Sequence, residues 1–131
     1  MNGALTAVLI CVAGGVGAAL RLILDGAIRA RTTSSYPVGT TVINVTGSFL
    51  LGLITGLATS QLLPLQWQLM IGTGFLRGYT TFSTASFETV RLIEDRRYVA
   101  AALNGLGLLL ICTAAAAFGF AAAAAGDFVI Q

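Results

Sequence analysis

Four stretches of this sequence are long and apolar enough to cross a bilayer: about residues 4–24, 38–59, 67–90 and 98–120. A spanning helix needs about 20 mostly apolar residues, because the hydrocarbon core is about 30 Å thick and a helix rises about 1.5 Å per residue. Composition points the same way. Hydrophobic residues make up 56% of the chain and charged residues 9%, where a soluble domain carries about 25% charged residues. Between Asp25 and Glu88 the only charges are Arg29, Arg31 and Arg77, and after Arg97 the only one is Asp127. So little polar surface fits lipid and not water as the solvent. The expectation is an all-α membrane protein of four transmembrane helices, forming a single transmembrane domain over residues 1–131.

The connections are polar: Asp25–Tyr36 ahead of Pro37, a short turn around Pro64, and a charged loop from Arg91 to Arg97. The apolar run Ala4–Leu20 has no Lys or Arg before it and has Arg21 after it, so it reads as a retained helix and not as a signal peptide. With four crossings, the first and third loops share one side and hold Arg29, Arg31, Arg91, Arg96 and Arg97, while the other side has no Lys or Arg. Short cytoplasmic loops accumulate these residues. The chain is therefore expected as a multi-pass protein of the cell inner or plasma membrane, with both termini outside.

Several function classes are disfavoured. The net charge is +2, with no basic run and no Lys, so nucleic-acid and phosphate binding lack support. No His is present, which removes the commonest general base and metal ligand. Cys11 and Cys112 lie in apolar stretches with no partner at zinc or redox spacing, and are read as free thiols. No nucleophile has an activating base, so an enzyme is not expected and no catalytic residue is assigned. A small multidrug exporter would need a carboxylate in the first helix, and none lies within residues 4–24.

The third span carries the chemistry. Five hydroxyl residues fall among the seven positions from Thr80 to Ser86, with Gly74 and Gly78 before them and Arg77 and Glu88 alongside. An apolar helix has no use for this composition. Hydroxyls can bond back onto their own helix, which would explain one or two of them. Five together favour a helix broken near its middle, since non-helical backbone is tolerated at membrane depth only where it is buried in protein or lines a watery path. Small residues elsewhere, including Gly52-x-x-x-Gly56 and Gly74-x-x-x-Gly78, fit closely packed helices.

The run Gly78-Tyr79-Thr80-Thr81-Phe82-Ser83-Thr84, following Gly74-Phe75, resembles the third-helix signature of the Fluc (CrcB-type) fluoride channels. In order along the chain, Gly14 to Arg21 resembles that family's first-helix motif, and Gly39 to Asn44 with Gly47 resembles its second. The resemblance covers nearly the whole chain. It implies an antiparallel, dual-topology dimer with fluoride pores at the subunit interface and passive export of fluoride. It also implies a central sodium ion, here held by the backbone carbonyls of Arg77 and Thr80. The pore residues it implies are Asn44, Phe82, Thr81, Ser83, Thr84, Thr40, Ser86 and Glu88, with Arg21 in a vestibule. Neutral donors and the positive ring edge of Phe82 suit a small anion that must be released again. Taken singly, Phe82 reads as core packing and Asn44 equally as a helix-bridging amide. Arg21 reads equally as snorkelling to the interface.

Three departures from the family pattern stand out. Ala85 replaces a second phenylalanine, and Phe87 would point elsewhere on a helix. Cys112 and Ala116, beside Thr113, stand where the fourth helix usually has hydroxyls. Arg77 stands at a glycine position and could substitute for sodium. Together with the five-to-none arginine bias of the loops, these departures favour a heterodimer with a related, oppositely inserted chain, in which one pore could be degenerate or the subunit non-conducting.

Overall fold

The computed structural model describes residues 2–130. Among them the fold is all-helical, with no strand. Helix α1 is Gly3–Arg31 and α2 is Val38–Thr59. Helix α3 runs from Leu65 to Tyr79 as a continuous rod in which Gln68–Leu76 winds as a π-helix. Helix α4 is Ser83–Glu94, and α5 is Tyr98–Ile130 with a π-helical stretch at Leu103–Gly107. Three of these, α1, α2 and α5, are long and apolar enough to cross a membrane. The third expected span is present as two shorter helices, α3 and α4, separated by Thr80, Thr81 and Phe82.

Local chemistry sets the ends. The Asn2 side chain caps α1 by accepting the Leu5 N–H at 2.9 Å. Arg29 and Arg31 sit in the last turn of α1, where positive charge suits the dipole. α2 and α4 end alike. Gln61 (φ 59°) and Arg96 (φ 57°) take left-handed backbone. The next N–H then reaches back, Leu62 to the Leu57 carbonyl at 2.9 Å and Arg97 to the Leu92 carbonyl at 2.8 Å.

Two sequence expectations need adjustment. The first connection starts later, because α1 carries Asp25 and Arg29 as helical residues and ends at Arg31. Their i,i+4 ion pair of 2.9 Å supports the extra turns. The irregular segment is also shorter than the hydroxyl cluster: Ser83 to Ser86 form the first turn of α4, leaving only Thr80–Phe82 non-helical. The two cysteines are free, as expected.

Packing pairs α2 with α5 and α1 with α3, while α4 lies along α5. Both main contacts bring backbone onto backbone. A Cβ at Gly78 would collide with the Gly14 carbonyl, and one at Gly119 with the Phe49 carbonyl. In lipid such contacts supply the association energy, because burying apolar surface gains nothing over acyl chains. Gly78→Val is therefore expected to separate α1 from α3. Size-exclusion chromatography in mild detergent should show mostly aggregate, where Gly15→Val, at a position with nothing within 4 Å, should elute like the parent.

Candidate functional site

The break between α3 and α4 is built from backbone groups that lose their helical partners. The Thr80 N–H still bonds the Leu76 carbonyl at 2.9 Å. Thr80 then turns extended (φ −76°, ψ 160°). In a continuing helix the Thr81 N–H would bond the Arg77 carbonyl. Instead it donates to Asn44 Oδ1 on α2 at 2.8 Å. A buried N–H left without a partner costs about 1–3 kcal/mol, so Asn44 makes the interruption tolerable. Asn44 is 7% exposed, and its Nδ2 is buried with no hydrogen-bond partner among the described residues. Gly47 lets the break lie this close to α2, since a Cβ there would meet the Thr80 methyl and sit 3.2 Å from the Tyr79 ring.

Thr81 also starts α4. Its hydroxyl accepts the Thr84 N–H at 3.2 Å and donates to Thr84 Oγ1 at 3.0 Å, with Ser83 Oγ at 3.4 Å. The N–H groups of Ser83 and Ala85 have no acceptor among the described residues. The positive end of the α4 dipole therefore faces the break beside several free donors, an arrangement that favours an anion.

Beside the break lies a groove of about 480 Å³, walled by Asn44 and Ser48 of α2, Thr81 and Phe82, and Asn104 and Cys112 of α5. Ala85 is part of its wall. Phe82 is 87% exposed, which excludes core packing within this chain. Its ring stands out from the bundle at the rim of the groove.

The remaining predicted residues continue the site toward the loops. Thr40 lies one turn before Asn44 on α2, and Glu88 one turn after Thr84 on α4, so each pair shares a helix face. The Thr40 hydroxyl donates to Glu88 Oε1 at 3.0 Å. Arg29 Nη2 donates to the same oxygen at 3.0 Å, and its Nε to Asp25 Oδ2 at 2.9 Å. A polar seam thus runs from Asn44 and Thr81, through Thr84, to Thr40, Glu88 and Arg29.

Not every predicted donor is free. The Thr80 hydroxyl bonds the Leu76 carbonyl at 3.0 Å and that of Ser86 bonds the Phe82 carbonyl at 2.9 Å, both back onto their own segment. Arg21 is half-buried along α1, which continues past it, and its Nε is buried with no partner among the described residues. Arg77 is exposed and makes no ion pair among the described residues. The carbonyls of Arg77 and Thr80 accept no backbone hydrogen bond from beyond the break. Two released neutral oxygens are of the donor type that suits an alkali cation.

Two contributors escape the sequence reading. Asn104, 1% exposed, donates from Nδ2 to the Ala85 carbonyl at 3.1 Å and to Thr89 Oγ1 at 2.9 Å, tying α5 to α4. A lone amide inside an apolar span was its signal. The acid–base spacing of Asp25 and Arg29 was the signal for the end of the seam.

Asn44→Ala is expected to destabilise the chain by about 1–3 kcal/mol and to speed exchange of the Thr81 amide hydrogen. Asn44→Asp, which keeps an acceptor, should retain slow exchange at Thr81. Hydrogen–deuterium exchange read by mass spectrometry, together with thermal unfolding in detergent, checks both.

Residues 8–120 match the family model described as CrcB-like protein, Camphor Resistance (CrcB). The chain is 54% identical over 110 residues to the fluoride-specific ion channel FluC 1 of Leifsonia xyli subsp. xyli, covering 84% of this chain and 80% of that protein. It is 43% identical over 118 residues to FluC 2 of Cutibacterium acnes, covering 89% and 96%. It is also 43% identical over 106 residues to FluC 2 of Mycobacterium tuberculosis, covering 81% of each. With its apolar helices, its interrupted helix and this extent of similarity, the chain is an integral membrane protein and belongs to the CrcB-like family.

Proposed function

We propose that this chain is a subunit of a fluoride-selective channel that exports fluoride passively from the cytoplasm. The carrying observation is the break at Thr80–Phe82, held by Asn44 and bordered by unpaired donors: Asn44 Nδ2 and the N–H groups of Ser83 and Ala85. Fluoride is small and strongly hydrated. A path must replace its water shell with donors while still letting it go. Neutral amides, hydroxyls and an aromatic edge do so without the deep trap that a fully engaged arginine would make. Thr81, Ser83 and Thr84 lie at the break, while Thr40 and Glu88 extend the path toward the loops. Relatives named fluoride-specific ion channels support the choice of ion.

The groove is open on one flank and Phe82 projects from it. In this reading a second, oppositely inserted chain closes the path, giving an antiparallel dimer of four-span subunits. Both termini of the present chain lie outside and its five loop arginines inside. The carbonyls of Arg77 and Thr80 would hold a sodium ion near the two-fold axis, where a cation would lock the two breaks together. Arg21 would hold anions in a vestibule.

Arg77 favours a second reading. A guanidinium at mid-membrane costs about 3 kcal/mol on insertion scales, and two near one axis would repel. A partner lacking this arginine removes the repulsion, and one such charge could itself take the place of sodium. The numbered names FluC 1, FluC 2 and FluC 3 among the relatives fit organisms that hold more than one such chain. The partner would then be a related chain of opposite loop bias, supplying the aromatic ring and hydroxyls missing at Ala85 and Cys112.

Fluoride efflux from proteoliposomes, read with an ion-selective electrode, decides. The chain, alone or with its partner, should release fluoride and retain chloride. Phe82→Ala should slow release by about tenfold, the equivalent of about 1.4 kcal/mol, within the range of one aromatic contact. Release only in the presence of the partner establishes the heterodimer. Release by neither preparation refutes the channel assignment.

A further inference from the structure

We infer that Arg29 is a charge-compensating residue of the ion path, neutralising Glu88 so that an anion can pass it. The inference rests on the channel reading above. Glu88 is a carboxylate on the polar seam, with a side chain only 12% exposed, and Thr40 and Arg29 both donate to its Oε1. In the channel reading, an anion travelling between the groove at the break and the cavity at the loop end passes beside this carboxylate. A bare carboxylate there would repel the anion. Arg29 reaches it across 59 positions of sequence while also bonding Asp25, one turn earlier on its own helix.

The surroundings make this arginine decisive. The cavity of about 380 Å³ at this end is lined by three acids, Asp25, Glu88 and Asp95, and three arginines, Arg29, Arg91 and Arg97. Tyr36 is the other titratable group in its wall. The wall is thus balanced, and loss of Arg29 leaves it one negative charge in excess beside the path. Arg97 is engaged with Ser35 on the loop, and Arg91 makes no ion pair with Glu88 among the described residues. As a stabilising contact the pair is modest, because Arg29 is 60% exposed. Its field on a passing ion is not modest. A unit charge at roughly 10 Å, in a medium of effective dielectric about 20, changes the occupancy of an anion site by about tenfold.

The test is fluoride efflux from proteoliposomes at about 0.1 M and about 1 M of an impermeant background salt, where the screening length falls from about 10 Å to about 3 Å. Arg29→Gln should slow efflux about tenfold at low salt, with the gap closing at high salt. Arg29→Lys, which keeps the charge but not the forked contact with Asp25 and Glu88, should lose much less than Arg29→Gln. Adding Asp25→Asn to Arg29→Gln should restore most of the rate. Arg29→Gln efflux that equals the parent's, or that is slow at both salt levels and unrescued by Asp25→Asn, overturns the inference. If Arg29→Gln does not fold, Asp25→Asn alone decides: faster low-salt efflux supports the inference and an unchanged rate overturns it. A parent preparation that releases no fluoride, with or without a partner, instead defeats the channel reading and the inference with it.

Discussion

The hydrogen bond from the Thr81 N–H to Asn44 Oδ1 is the interaction on which the rest of this structure turns. Interrupting a helix deep in lipid strands backbone donors and acceptors that no water can satisfy. A short amide from the neighbouring helix resolves the most acute case, and Gly47 grants the backbone approach it needs. The Thr81 hydroxyl then nucleates the next helix by capping Thr84. One threonine thus ends one irregular turn and begins the regular one after it. The candidate elements of the site all lie near that turn: the free face of Asn44, the exposed Phe82 ring, and the positive end of α4.

The remaining donors near the break are mostly neutral, and this sets the chemistry. A full positive charge in a low-dielectric site binds an anion strongly and releases it slowly. Dipoles and hydroxyls compensate dehydration with a shallower well. The arrangement is partly self-satisfied. Thr80 and Ser86 bond back onto backbone carbonyls, while Asn44 Nδ2 and two N–H groups of the first α4 turn do not. The unsatisfied members, and not the hydroxyl count, are the donors left free for an anion. Farther along the seam full charges return, but as the closely paired set Asp25, Arg29 and Glu88.

The three long apolar helices, the closely packing glycines and the interruption of the third stretch were legible in the sequence, because each follows from local composition. Apolar runs must span, small residues permit backbone contact, and a hydroxyl cluster at membrane depth signals an irregular turn. The extent of that turn was not legible. Ser83 to Ser86 belong to the cluster by composition but to α4 by structure, because Thr81 caps the helix ahead of them. Asn104 was no more legible: its value comes from Ala85 and Thr89, which only the packing of α4 on α5 brings within reach.

By itself, then, the sequence determined that this chain lives in a bilayer, which stretches are apolar enough to enter it, and which residue types lie at its irregular turn. Hydropathy and spacing suffice for those questions, since they concern one helix at a time. Tertiary structure decided which amide satisfies which backbone group, which hydroxyls stay free, and which arginine meets the Glu88 carboxylate. These pairings join residues up to 59 positions apart. They depend on helix rotation and on backbone contacts of a few ångströms, which no one-dimensional pattern encodes.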